Sequence, residues 1–332
     1  QLAIPPSIIK VDELSKLLNV SSDKVKISIG IAEVPKTEAL EVISKATTQD
    51  PNLKAIGGRV LEFSIEARSD TQVIKIDNFG QTKVKGEMHF TDRDIAGVKD
   101  IKNINVYKYN PDTGKMEYRK SIVDPVNKKV VFYTPGFSQY TMMENDRTFD
   151  DVNSHWAKKY IETLASKYIV NGTDNGVFNP DGKVTRAEFA TILVNALDIQ
   201  AGTDSAQTFG DVPVNAWFNN SIARAYKAGL VNGVGNNQFN PNAPITREQI
   251  ALMTMNAYKY LSGKDFTSVT SNKGQFADAG NISGWAKQAV TAAGALGIVN
   301  GMNDNSFAPA KNASRAEGTT MIYRLLTYTG DL

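Results

Sequence analysis

The segment Thr185-Arg186-Ala187-Glu188 decides how the second half of this sequence folds, because a closely related tetrapeptide occurs three times. In each copy a Thr or Ser is followed three residues later by Glu or Gln, which is the capping-box signature of a helix N-terminus. Apolar residues then follow at helical spacing, as at Phe189, Ile192 and Leu193. The sequence therefore predicts three helices that begin at equivalent positions. The other two copies are Thr246-Arg247-Glu248-Gln249 and Ser314-Arg315-Ala316-Glu317.

Four further features recur in a fixed order before each tetrapeptide. Each copy opens with Phe-x-Asp and continues with a Trp, a Val-Asn-Gly step and a Phe-x-Pro step. Such an order, kept three times, indicates an internal repeat, with units of about 147–207, 208–272 and 273–332. The recurring positions are Phe149, Phe209 and Phe276 for the opening step, Trp156, Trp217 and Trp285, then Gly172, Gly233 and Gly301, and last Phe178, Phe239 and Phe307.

Each repeat is predicted to be a pair of helices joined by a polar loop. The first helix is expected to start near Trp156 and to stop at Asn171-Gly172, because Gly tolerates a left-handed backbone. Two helices of this length cannot enclose a core alone. We therefore expect one all-α domain over residues 147–332, in which three helix pairs form a pseudo-threefold bundle. It should be joined to the preceding domain within Met142 to Thr148.

Residues 1–145 show a period-two pattern, which is typical of strands with one buried face. Apolar residues alternate with polar or small ones over 25–31, and a hairpin is expected to lead into a strand over 115–123. Short helices are expected near Val11 to Leu18 and Thr37 to Ala46. The pattern predicts a mainly β, sandwich-like domain, with an α+β arrangement as the alternative.

Composition and charge exclude several classes of function. The chain has 332 residues and a net charge of +2, which argues against a nucleic-acid-binding protein. It has no Cys, which excludes disulfides and thiol chemistry. His89 and His155 lie in different predicted domains, so neither a metal site, nor a catalytic triad, nor a cofactor is expected. No apolar run approaches the roughly 18 residues of a membrane span. Because the sequence starts at Gln1, we interpret it as a mature fragment of something larger.

The five recurring features resemble those of S-layer homology repeats in bacterial surface proteins. The resemblance covers about residues 147–332 and implies three repeats gathered around a common axis. It also implies non-covalent binding of secondary cell-wall polysaccharide, through pyruvylated amino sugars, in grooves between the repeats. It implies no enzymatic activity. The expected location is extracellular, in the cell wall or S-layer of a Gram-positive bacterium, and neighbouring S-layer subunits are further expected partners.

The resemblance assigns the ligand first to the Arg of each tetrapeptide. A pyruvyl ketal carries a carboxylate, which the planar guanidinium fork matches, and a helix N-terminus also favours an anion. The Trp rings are expected to face sugar C–H groups, and the Gly positions to allow a ligand to approach the backbone. The expected ligand-binding residues are Arg186, Arg247, Arg315, Trp156, Trp217, Trp285, Gly172, Gly233 and Gly301.

Each of these residues also has a structural alternative. The Arg could form a salt bridge to a neighbouring repeat, the Trp could pack in the core or between repeats, and the Asn-Gly step could serve only to stop a helix. The aspartates of Phe-x-Asp could cap the first helix or contact the sugar, and the structural role is the one expected. The copies also differ, since the second has Gln249 in place of Glu and the third has Gly318 inside its second helix. The third unit is therefore expected to contribute least to a sugar groove.

The N-terminal domain resembles the β-rich accessory modules that precede S-layer homology repeats in surface glycosidases and S-layer proteins. The resemblance rests on the Ile76-Asp77-Asn78-Phe79-Gly80 step, on the Val106-Tyr107 strand and on the closing Gly136 to Tyr140, and it implies a spacer. Two alternatives remain open. A fragment of a glycosidase would need a cleft with paired acids about 5–9.5 Å apart. A self-assembling lattice protein would expose an apolar patch.

Overall fold

The structure, a computed structural model, divides into two compact units, Gln1–Arg147 and Thr148–Leu332. The expected repeat boundaries at 207 and at 272–273 lie outside the described residues. In the described part of the chain, no helix has both the length and the apolar character needed to cross a membrane. The described residues are 1–80, 82–111, 113–173, 176–199, 208–269 and 276–332.

The first unit is built from two antiparallel sheets and two helices, α1 (Val11–Leu18) and α2 (Lys36–Gln49). The strands are β1 (Leu2–Ala3), β2 (Lys26–Glu33), β3 (Leu53–Arg68), β4 (Val73–Lys75), β5 (Val84–His89), β6 (Ile104–Asn110), β7 (Lys115–Arg119), β8 (Ser121–Asp124), β9 (Lys129–Thr134) and β10 (Gln139–Asn145). The smaller sheet has the order β1-β5-β9-β8. The larger has the order β2-β3-β10-β6-β7, with β4 paired to β3. The expected β-rich region is therefore confirmed.

The two sheets of the first unit share one apolar core. Phe63 and Tyr140 from the larger sheet meet Phe132 from the smaller one, and the ring centroids of Phe132 and Tyr140 are 5.1 Å apart. The Tyr140 hydroxyl donates to the carbonyl of Gly136 and lies 2.8 Å from Thr134 Oγ1. Burial raises the pKa of the Tyr140 phenol to about 12.

Two expectations for the first unit are wrong in detail. The expected strand over 115–123 is interrupted at Lys120, because β7 pairs with β6 in the larger sheet whereas β8 pairs with β9 in the smaller one. Ile29 and Ile31, expected to be buried, are 53% and 49% exposed. They lie beside Ile65 and Phe63 on the same face of the sheet, but β2 is an edge strand and the apolar core reaches its Ile27 without covering these two side chains.

The second unit is helical, and each repeat supplies two helices. All three capping boxes are present, so the local prediction made from each tetrapeptide is confirmed. The helix pairs are α3 (Lys158–Ser166) with α4 (Arg186–Ala196), α5 (Asn219–Lys227) with α6 (Arg247–Ser262), and α7 (Gly284–Ala295) with α8 (Arg315–Thr329).

The first helix of each repeat ends earlier than expected. Helix α3 ends at Ser166, and the left-handed residue is Tyr168, with a φ of 56°. The equivalent Gly229 and Gly297 both have a φ of 71°. Gly172 is needed for a different reason, since a Cβ there would lie 2.7 Å from the ring of Phe149. The Asn-Gly step therefore follows the helix stop and allows the opening Phe to pack closely.

The segments before α4, α6 and α8 join the three repeats in a closed ring of backbone hydrogen bonds. Ile245 N–H donates to the carbonyl of Val184 at 3.0 Å, and Ala313 N–H donates to the carbonyl of Ile245 at 2.9 Å. Val184 N–H then donates to the carbonyl of Ala313 at 3.1 Å. The third repeat is therefore bonded to the first as well as to the second.

The helices α4, α6 and α8 contact one another, and one cluster of buried apolar residues extends through all three repeats. Equivalent positions on these helices carry Phe189, Ile250 and Gly318. A Cβ on Gly318 would lie 3.4 Å from the Phe189 ring and 3.6 Å from Ile250 Cδ1. The third repeat therefore has a glycine at the position that packs against the large Phe189 side chain of the first repeat.

Candidate ligand-binding grooves

The Arg of each tetrapeptide binds two carbonyl groups of another repeat. Arg186 Nε donates to the carbonyl of Phe239 at 2.7 Å, and Arg186 Nη2 donates to the carbonyl of Asn232 at 3.0 Å. The guanidinium carbon lies 4.6 Å from the centroid of the Phe239 ring. Three of the repeated motifs therefore meet in a single contact. The equivalent contacts join Arg247 to Phe307 and Asn300, and Arg315 to Phe178 and Asn171.

These Arg side chains are buried rather than extended into solvent. Arg186 and Arg247 are 4% and 3% exposed, and the Arg315 side chain is 13% exposed. Burial lowers the pKa of each guanidinium from its usual value, and nearby carboxylates partly oppose that effect. Since an Arg pKa starts so high, all three remain cations.

The third nitrogen of each guanidinium, Nη1, distinguishes the three sites. Arg247 Nη1 lies 2.9 Å from Glu317 Oε1, and Arg315 Nη1 lies 3.3 Å from Glu188 Oε1. The expected alternative, a salt bridge to a neighbouring repeat, is therefore present at these two positions. The residue equivalent to these carboxylates beside Arg186 is Gln249, and Arg186 forms no ion pair within the described parts of the chain.

The aspartates of Phe-x-Asp have a structural role that differs from the expected cap. Asp151 accepts from the backbone N–H groups of Phe178, at 2.9 Å, and Asn179, at 2.6 Å. Each Asp therefore holds the Phe-x-Pro loop of its own repeat, whose carbonyl then accepts from an Arg. The same two contacts are made by Asp211 with Phe239 and Asn240, and by Asp278 with Phe307 and Ala308.

The three Trp side chains are exposed, so the alternative that they pack in the core is wrong. Trp156, Trp217 and Trp285 are 59%, 66% and 55% exposed. Trp285 lines a groove of about 340 Å³, called groove A, together with Arg186, Asn232, Gly233 and Gln249. Trp156 lines a groove of about 840 Å³, called groove B, together with Arg247, Asn300, Gly301 and Glu317.

Each of these two grooves contains residues from all three repeats. In groove A the Arg comes from the first repeat, the Asn-Gly step from the second and the Trp from the third. Groove B follows the same order, displaced by one repeat. The remaining predicted ligand residues are Arg315, Gly172 and Trp217. Arg315 contacts Asn171, which precedes Gly172, and Trp217 is exposed. Residues 174 and 175 of that loop lie outside the described residues.

Two residues that line the grooves, Gln249 and Glu317, were not expected there. Glu188, Gln249 and Glu317 were assigned to helix capping alone. Gln249 lines groove A and Glu317 lines groove B, while both also cap their own helices. The replacement of Glu by Gln in the second copy was the available signal, but its consequence depends on which Arg lies opposite.

A separate cavity of about 300 Å³ lies in the first unit. Its lining includes Glu38, Glu62 and Asp77, and Gln139 Nε2 donates to Glu38 Oε1 at 2.8 Å. Within the described residues, no group of three or more acidic or His side chains could hold a metal ion.

The helical unit matches a known family in three places. The family is described as the S-layer homology domain, and the matched residues are 148–190, 208–251 and 275–317. Each matched segment begins near the opening Phe-x-Asp and ends at the last residue of the tetrapeptide or two residues after it. The matches therefore contain the Trp, Gly and Arg positions discussed above.

Similar proteins include both surface enzymes and surface-layer proteins. An amylopullulanase of Thermoanaerobacterium thermosulfurigenes is 40% identical over 238 residues, which is 72% of this chain and 13% of the relative. Exoglucanase XynX of Acetivibrio thermocellus is 39% identical over 191 residues, 58% of this chain and 17% of the relative. A surface-layer 125 kDa protein of Lysinibacillus sphaericus is 35% identical over 152 residues, 46% and 12% respectively. This chain thus spans less than a fifth of these three relatives.

Proposed function

Since this chain carries three S-layer homology domains, we propose that it anchors an exported protein to the bacterial cell wall by binding secondary cell-wall polysaccharide non-covalently. One observation carries the proposal. An exposed Trp, a buried Arg and a Gly come from three different repeats and line the same groove, in groove A and again in groove B.

The chemistry of these grooves suits a sugar polymer with acidic substituents. An exposed indole offers a flat apolar face to sugar C–H groups, and a guanidinium pairs with carboxylates such as that of a pyruvyl ketal. A groove with an apolar wall and a few fixed polar groups is a usual form of ligand site. Trp156, Trp285 and Arg186 are the residues we expect to contact the ligand, and Trp217 with Arg315 would serve a third site.

The proposed arrangement of the repeats is a pseudo-threefold bundle. The closed ring of hydrogen bonds through Val184, Ile245 and Ala313 supports it, as do the equivalent Arg contacts between successive repeats. In such an arrangement no single repeat contains a complete groove. Anchoring would therefore require all three repeats in one folded unit.

The proposed location is extracellular, in the cell wall or S-layer of a Gram-positive bacterium. We assign the helical unit a binding role and no catalytic one. The activity of the larger protein is a separate matter, because relatives of both enzymatic and surface-layer type match this chain.

For the first unit we propose the role of a β-rich spacer in a surface glycosidase. The supporting observation is the match to amylopullulanase, which is longer than the helical unit and so extends into the first unit. If the first unit is a spacer, incubation of the chain with the α-glucan pullulan should release no reducing sugar. Release of reducing sugar that depends on Glu62, an acid of the first-unit cavity, would instead favour a catalytic role.

A self-assembling lattice protein is the second candidate for the first unit. The exposed Ile29 and Ile31 on edge strand β2 favour it, because such an edge can pair with another chain. Electron microscopy of the purified chain would test this proposal. Ordered arrays that are lost in Ile29→Lys would support it, and a monodisperse chain would contradict it.

Calorimetry with purified cell-wall polysaccharide tests the anchoring proposal. We expect the polysaccharide to bind the full chain, and binding to weaken at least tenfold in Trp156→Ala or Trp285→Ala. The matched control is Tyr260→Ala, which removes a 50% exposed aromatic ring that lines neither groove. If the polysaccharide does not bind the wild-type chain, or if all three variants weaken binding equally, the proposal fails.

A further inference from the structure

We infer that groove A is the acid-selective site of this chain and that Gln249 makes it so. In this inference a carboxylate of the glycan accepts hydrogen bonds from Arg186 Nη1 and Gln249 Nε2. Groove B, which already contains a protein carboxylate paired with its Arg, takes the glycan without that preference. The inference rests on the proposed polysaccharide binding and adds which groove binds the carboxylate of the glycan.

The guanidinium nitrogens of the three Arg residues differ in their hydrogen-bond partners. At Arg247 and Arg315, Nη1 donates to a Glu of another repeat, at 2.9 and 3.3 Å. At Arg186, Nε and Nη2 make the same carbonyl contacts as the other two, but Nη1 has no hydrogen-bond partner among the described residues. Groove A therefore contains a guanidinium that can still donate.

The Gln249 side chain is oriented with its amide nitrogen at the position of the Glu oxygen that binds Arg in the other sites. In Glu317, Oε2 accepts a hydrogen bond from the backbone N–H of the N-cap residue Ser314, and Oε1 accepts one from Arg247 Nη1. In Gln249, Oε1 accepts from the Thr246 N–H at 3.1 Å, so the amide nitrogen Nε2 is left in the role of the Glu oxygen that pairs with Arg. An amide NH₂ is a donor, so it cannot satisfy the Arg186 guanidinium. Two donors therefore share one groove, and an oxygen anion is the group that both can bind.

The two grooves also differ in the charge of the residues that line them. Arg186 is the one charged residue among the described residues that line groove A. The lining of groove B includes Arg247 and Arg324, but also Asp304 and Glu317, so its charges balance. Asp211 offsets part of the cost of burying Arg186, whereas Arg247 has both Glu317 and Asp278, so a bound carboxylate would stabilise the Arg186 cation further. Leu252, Met253 and Trp285 give groove A an apolar wall beside the cation, which suits a carboxylate attached to a sugar.

Gln249→Glu is the decisive variant. It should preserve the helix cap, because a Glu at the equivalent position already caps α4 and α8. Its new carboxylate would occupy Arg186 and repel an acidic ligand. The probes are the methyl glycoside of a pyruvylated N-acetylhexosamine and the methyl ester of the same compound, titrated into the full chain by calorimetry. For the wild type we expect one site that prefers the acid over the ester at least tenfold. In Gln249→Glu that preference should fall to about one.

The reciprocal variant is Glu317→Gln, which removes the protein carboxylate from groove B. We expect it to raise the number of acid-preferring sites from one to two. If the wild-type chain binds the polysaccharide but prefers the acid equally at two sites, the inference about groove A is wrong and anchoring stands. Retention of the acid preference in Gln249→Glu also overturns it. If neither the polysaccharide nor the probes bind the wild type, the proposed function itself fails.

Discussion

Arg247 and Glu317 form an ion pair between the second and third repeats, with 2.9 Å between Nη1 and Oε1. The side chains are 4% and 14% exposed, so the pair is largely shielded from water. Glu317 also accepts from the Ser314 N–H through Oε2, at 2.8 Å. One carboxylate thus caps α8 and joins two repeats, which makes the motif Glu more than a local capping residue.

Replacing Glu317 by Gln should destabilise the helical unit. The amide can still cap the helix, as Gln249 does, but it leaves the buried Arg247 without its ion-pair partner. We expect the free energy of unfolding to fall by about 1–3 kcal/mol, measured by urea denaturation. The control is Glu188→Gln, where the distance to Arg315 is 3.3 Å and the carboxylate side chain is 31% exposed. That loss should stay below about 1 kcal/mol, and equal losses would contradict the argument from burial.

Gly318→Ala should stabilise the protein. The added Cβ would lie 3.4 Å from Phe189 and 3.6 Å from Ile250, which are ordinary van der Waals distances. Because Gly is a poor helix former, the change should raise the free energy of unfolding by about 0.5–1 kcal/mol. Thermal and urea denaturation would measure it. A loss of stability would show that this junction has no room for a methyl group.

Gly233→Ala should have the opposite effect. A Cβ there would lie 2.7 Å from the carbonyl oxygen of Gln238 and 2.7 Å from the Phe209 ring, so the backbone must move. We expect a loss of about 1–3 kcal/mol in the free energy of unfolding. Gly280→Ala is the matched control, because its Cβ would meet no atom within 4 Å. If the two variants unfold at the same urea concentration, the close packing around Gly233 does not contribute to the free energy of unfolding.

Tyr140 should make the first unit sensitive to alkaline pH. Its phenol has a raised pKa of about 12, whereas a tyrosine in an unfolded chain ionises near pH 10. The folded state therefore holds the proton longer, and this contribution is full below pH 10 and lost as the pH rises through 12. The two-unit difference corresponds to about 3 kcal/mol at most. Ultraviolet titration and denaturation over this range should show a shallower pH dependence in Tyr140→Phe, with the exposed Tyr260→Phe unchanged from wild type.

Local features of the fold were predictable from the sequence. The three capping boxes depend on residues three positions apart, so each tetrapeptide predicts its own helix start. The β pattern predicted β-rich structure in the first unit, and the resemblance to S-layer homology repeats is confirmed. Among the predictions that are wrong are those of burial, which depends on residues distant in the chain. Ile29 follows the alternation of a buried face, yet it is exposed because the apolar core reaches Ile27 of this edge strand but does not cover Ile29.

The sequence by itself determined the number of repeats, the order of their motifs and the start of each second helix, because these depend on neighbouring residues and on internal repetition. Only the tertiary structure decided which repeat each Arg contacts, that the Trp rings are exposed, and that Arg186 lies beside Gln249 while Arg247 lies beside Glu317. The physical reason is that the ring brings together residues distant in the chain, such as Arg315 and Asn171. A single Glu-to-Gln difference therefore becomes a difference in charge between two grooves.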